Sequence, residues 1–186
     1  GLPTGSVTAD TLATNSVDSA ELVNGAIDAG HLASGVGGKI VQVVNVMDGA
    51  VATGTSLITN DDDIPQNTDG DEYMTLAITP TSATNKLLIQ VVVFGSHSIA
   101  STQGLALFQD STANSLASIQ MYNGTNTGNL ILPLNHYMTA GTTSSTTFKA
   151  RAGGGGAGTY TFNGQNAGRK HGGVSASSIT ITEIAV

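Results

Sequence analysis

The chain is 186 residues long and carries 6 basic against 13 acidic side chains, a formal net charge of −7 at pH 7. Only 10% of its residues are charged, against about 25% in an ordinary soluble domain, yet a mean hydropathy of +0.09 is too apolar for a charged disordered tail. The scarcity of Lys and Arg argues against nucleic acid, the longest apolar stretch (87–94) is broken by Gln90 and far too short to span a bilayer, and zero cysteine removes thiol chemistry, Cys-based zinc sites and disulfide staples.

Residues 1–38 open the chain with a ten-residue repeat: GSVTADTLAT (5–14), NSVDSAELVN (15–24) and GAIDAGHLAS (25–34). Its apolar positions are Val7, Leu12, Val17, Leu22, Ile27 and Leu32, one every five residues. A period of five fits neither a strand nor a long amphipathic helix. Thr8, Asp18 and Asp28 stand where helix N-caps would stand, and Asp18 to Glu21 has capping-box spacing. Each unit therefore reads as a short extended piece followed by one helical turn. Six medium-sized side chains over thirty residues close no core, and isolated helical turns are unstable in water. The stripe is expected to pack against its own copies, most economically as a parallel homotrimeric stalk.

After Gly38 the composition changes to that of an all-β domain, 39–186, rich in Thr, Ser, Gly and Val. The strand candidates in chain order are 39–47, 51–58, 72–79, 86–94, 104–109, 116–122, 129–138, 146–152, 159–163 and 177–185. Turn residues separate them: 79–85, 110–114, Asn123-Gly124, and a run of glycines at 153–156 expected at a hairpin tip. About ten short strands so punctuated predict an antiparallel β-sandwich, jelly-roll-like. The segments 87–94 and 179–184 have the patterns of central strands, with Glu183 lying in the Ile179/Ile181 row at a possible subunit edge.

Few residues are arranged for chemistry. The stretch Asp61 to Glu72 holds six of the 13 acidic residues, and Asp61, Asp63, Asp69 and Asp71 are the one candidate set for a Ca²⁺. Their spacing does not match an EF-hand, and a solvated loop that keeps the domain soluble is the simpler reading. His31, His97, His136 and His171 lack ligand spacing, although His31 would lie near its symmetry copies on a threefold stalk. There is no Gly-x-Ser-x-Gly elbow and no phosphate loop, and no Trp to serve as a sugar platform beside a carboxylate pair. No catalytic residue and no cofactor are expected. The segment 163–173 is locally basic in an acidic chain. Its Asn163, Gln165, Asn166, Arg169, Lys170 and His171 suit an anionic or glycan surface, or alternatively pairing of Arg169 and Lys170 with the acidic cluster of a neighbouring copy.

The SVDSAEL-NGAID-HLA repeat, the junction 37–44, the segment 78–89 (ITPTSATNKLLI), the run 141–152 and the ending 179–185 together resemble the distal part of bacteriophage tail fibres and related virion appendages. The resemblance covers 5–186 and rests on strands, turns and the stalk repeat. It implies a trimeric, non-enzymatic β-rich tip on a slender shaft, on the virion surface. Its partners would be its own copies, other virion proteins, and a host-surface glycan or protein to which it attaches. A head fibre or capsid decoration protein that stabilises the shell is the alternative it leaves open.

Overall fold

The computed structural model describes residues 39–186; the repeat and its Val7, Leu12, Val17, Leu22, Ile27, Leu32 and His31 lie outside the described residues. Twelve strands make up the fold: β1 (Ile40–Asp48), β2 (Ala52–Gly54), β3 (Asp71–Ile78), β4 (Lys86–His97), β5 (Ser101–Gln109) and β6 (Ala117–Asn123) are the first six. They are followed by β7 (Asn129–Thr139), β8 (Thr146–Gly154), β9 (Tyr160–Phe162), β10 (Gly164–Gln165), β11 (Gly168–Arg169) and β12 (Ser177–Ile184). Eight of them form two antiparallel four-stranded sheets. One has the order β1-β12-β4-β7, with β9 and β2 continuing beside the last residues of β4; the other has the order β3-β8-β5-β6. This is the jelly-roll sandwich expected of short β-branched strands, since each sheet has an apolar face that only another sheet can cover. Pro133 sits on β7, an edge of its sheet, where a missing N–H costs no ladder bond.

The core lies between the sheets. Leu87, Ile89, Val91 and Val93 of β4 alternate inward and meet Ile179 and Ile181 of β12, Leu132 and Leu134 of β7, and Leu105, Leu107 and Phe148 from the opposite sheet. The period-2 patterns of 87–94 and 179–184 are thus the patterns of interior strands, as expected.

Three readings are corrected by tertiary contacts. Of 51–58 only Ala52–Gly54 pairs as a strand; the rest runs across the outside of the second sheet, where Ile58 covers Ala106 and Phe108. The glycines of 153–156 do not form a hairpin tip. Gly153 and Gly154 are buried in β8, and a Cβ on them would come within 2.4 Å of the Ser56 carbonyl and 2.3 Å of the His97 ring. They are glycine because other chain segments lie against them. Glu183, finally, is fully buried within its own chain rather than at a subunit edge. Its carboxylate accepts from Asn85 Nδ2 (2.6 Å), from the Thr81 backbone N and Oγ1 (2.8 Å each) and from Gln42 Nε2.

Candidate functional site

The first strand begins at Ile40, in register with Ile184 and, through it, with Lys86. From Lys86 to His97, β4 crosses the sandwich, a length of about 36 Å at 3.3 Å per residue. The segment 163–173 lies at the far, His97 end, because Gln165 Nε2 donates to Thr127 O (2.7 Å) and Thr127 N donates to His97 O (2.8 Å). It is not an open loop. β10 and β11 pair as a two-residue hairpin whose turn, Asn166-Ala167, has φ of 52° and 58°, as a type I′ turn requires. A 3-10 turn at His171–Gly173 follows.

This geometry divides the six candidate residues. Asn163 is fully buried: its Nδ2 donates to Asp48 O (2.6 Å) and Ala50 O (3.1 Å), and its Oδ1 accepts from Ser177 Oγ (2.7 Å). It holds the hairpin's base and is out of reach of any ligand, which corrects the reading of it as a contact residue. Gln165 is half-buried and used by Thr127. Asn166, Arg169 and His171 are exposed, Lys170 is half-exposed, and His171 Nδ1 is 2.8 Å from Ser175 Oγ. Among the described residues Arg169 and Lys170 form no ion pair; the cations that do are Lys149 and Arg151, both with Glu72. Tyr122, 70% exposed at the end of β6 beside the turn 124–128, stands at the same end of the sandwich. A lone Tyr before Asn-Gly gives no sequence signal of that position.

The acidic segment does not gather its carboxylates. Asp71 accepts from Ser56 N (3.0 Å) and Ser56 Oγ (2.8 Å), and Asp69 from Gln66 N (2.8 Å). Asp61 accepts from Asp63 N (3.1 Å), and hydrogen bonds, from Thr59 first, hold its carboxyl below the ordinary Asp range. Asp61, Asp63 and Asp69 do line one open depression with Asn114. Among the described residues, no three His, Cys, Asp or Glu side chains stand close enough to hold a metal ion. Arg151 ties the end of the segment down, donating to the carbonyls of Asp69 (2.8 Å) and Gly70 (2.7 Å). Among the described residues the histidines join no such cluster: His97 is buried with Nδ1 at 3.3 Å from Ile99 O, and burial alone lowers the pKa of His136.

No protein-family description and no curated protein matches the chain. Among solved structures it is similar to an Eiger TNF from S. frugiperda, at 8% identity and a TM-score of 0.41 over 77% of this chain and 93% of that one. It is similar to a structure of infectious bursal disease virus, Gx strain, at 14% identity and a TM-score of 0.36, over 78% of this chain and 36% of that one. A third similarity is to the enzymatically active domain of tailspike protein 4 of bacteriophage CBA120, at 14% identity and a TM-score of 0.30, over 77% of this chain and 20% of that one. Likenesses at this level do not extend to function.

Proposed function

We propose that the chain is a structural virion protein, a tail-fibre-like homotrimeric appendage whose β-sandwich head attaches to a host-surface ligand. One observation carries the reading: the exposed Asn166 and Arg169 of the hairpin and His171 of the turn after it stand at the end of the sandwich away from Ile40, the first strand residue after the repeat-bearing segment. A domain joined at one end to a shaft meets a target with its other end. The ligand suited to that end is a glycan or an anionic group, bound by an amide, a guanidinium and an imidazole, with Tyr122 as a stacking surface. Each such contact is weak and exposed, so three copies would be needed for firm attachment.

Fluorescently labelled protein is expected to bind host cells, and the combined Asn166→Gly, Arg169→Ala and His171→Gly variant, with glycine placed where φ is 52° and 47°, to lose at least tenfold in apparent affinity while the head stays folded. Wild-type binding by the triple variant overturns the assignment of the site. Location of the chain at the symmetry axes of a capsid, with no binding to cells, overturns adhesion in favour of shell decoration.

A further inference from the structure

The outward face of the β1-β12-β4-β7 sheet has no cover among the described residues. Val43, Met47, Ile131 and Tyr137 on it are each more than half exposed, and Val92 is 37% exposed. The pairing registers place these side chains in rows across the sheet: Met47–Ser178–Val92–Pro133 in one, Val43–Thr182–Leu88–Tyr137 in another. Between them runs a row of amides and hydroxyls, Asn45–Thr180–Gln90–Asn135, with Asn45 Nδ2 donating to Thr180 Oγ1 at 2.8 Å. Four strands spaced about 4.8 Å apart and about eight residues long give a face of about 500 Å² in projection. Six of the twelve positions in these rows are apolar, in two bands either side of the amide row.

We propose that this sheet face is where a second copy of the same chain docks, which gives the trimeric reading above its interface in the head. Charge selects the occupant. The acidic segment and the Glu72, Lys149 and Arg151 cluster all lie over the other sheet, while the outward rows of this one carry Lys86 alone, whose Nζ is engaged by Thr139 Oγ1 at 2.6 Å. A strongly charged partner would find nothing here to pair with. Copies of a chain of net charge −7 repel one another, and they can approach through this face with their acidic segments held away. The central amide row both donates and accepts, so it can bond to whichever polar groups of a neighbouring copy meet it. The projected area of about 500 Å² supplies over half of the roughly 800 Å² per partner of a stable interface, and Ile40 and Val41, also exposed at the start of β1, extend it.

The chain has no cysteine, so single-cysteine variants report each position cleanly. In the full chain, Val43→Cys is expected to react with a maleimide at least tenfold more slowly than Met121→Cys on the other sheet, in a particle of three times 18.7 kDa. Adding Tyr137→Lys is expected to abolish that protection, and adding Lys in place of Val92 to do the same. If Val43→Cys reacts as fast as Met121→Cys while the mass stays that of three chains, the interface is overturned and the trimeric reading stands. A monomeric mass overturns both. Protection of Val43→Cys in a monomer means that the chain's own residues cover the face, and that too overturns docking of a second copy.

Discussion

Glu183 shows how one side chain is fixed by its surroundings. An acid in an apolar row of a core strand is costly unless its lone pairs are filled, and here donors from Gln42, Thr81 and Asn85 fill them. Burial pushes its pKa up, but these hydrogen bonds outweigh burial and hold it down to about 2, against an ordinary 4.5. A carboxyl whose folded pKa is depressed stabilises the fold above its unfolded pKa and loses that effect as pH falls through the folded one. Urea midpoints are therefore expected to decline from about pH 4.5 toward pH 2 in the wild type. Glu183→Gln, which turns an amide N–H₂ toward donors, is expected to cost about 2–3 kcal/mol at neutral pH and to flatten that decline. An equal slope in the variant would assign the acid transition to another carboxyl.

At the scale of elements, the β10–β11 hairpin is the one whose chemistry is least conventional. A type I′ turn places both central residues at positive φ, which favours Asn-Gly; here Ala167 holds φ of 58°. Left-handed backbone costs an alanine about 1–2 kcal/mol, so Ala167→Gly is expected to raise stability by about 1 kcal/mol, read as a higher melting temperature with the hairpin retained. An unchanged or lower melting temperature would mean that the gain is cancelled in the unfolded chain. The same residue explains why 163–173 reads as a loop in sequence. Without Asn-Gly and with two-residue strands, there is no alternation to detect. The eight strands of seven or more residues were legible because each faces a core on one side, and the β-branched period of 2 follows from that. The path of 55–58 over Gly104 and Ala106 was not legible, because Ile58 belongs to the core of a sheet far from it in sequence.

Across the whole molecule, aromatic side chains bridge the two sheets. Tyr73 of β3 stacks on Phe162 of β9 with ring centroids 4.7 Å apart and 4° between planes, and lies 5.9 Å from Tyr160. Both phenols lack a hydrogen-bond partner among the described residues. Burial pushes both up, joined by the Asp71 carboxylate for Tyr73 and by Tyr73 for Tyr160. Groups that stay neutral in the fold but ionise in the unfolded chain lower stability as pH rises above the unfolded pKa of about 10. Alkaline titration followed by phenolate absorbance is expected to leave two of the four tyrosines protonated until the protein unfolds, and Tyr160→Phe to lower that number by one. Titration of all four in a single step while the near-ultraviolet spectrum is still native would show that the sheets part at this seam.

Sequence alone determined the all-β class, the two central strands and the absence of familiar catalytic spacings, because period, turn residues and composition are local quantities. It also exposed the repeat of 5–34. Tertiary structure decided which members of a cluster act together. Asn163 is a buried clamp while Asn166, Arg169 and His171 face solvent, and Asp71 is spent on Ser56 while Asp61 and Asp69 line an open depression. It also decided that the low charge is unevenly shared between the sheets, leaving one face almost bare of it. Such facts depend on register and on which segment crosses which sheet, and those are set by contacts between residues distant in the chain.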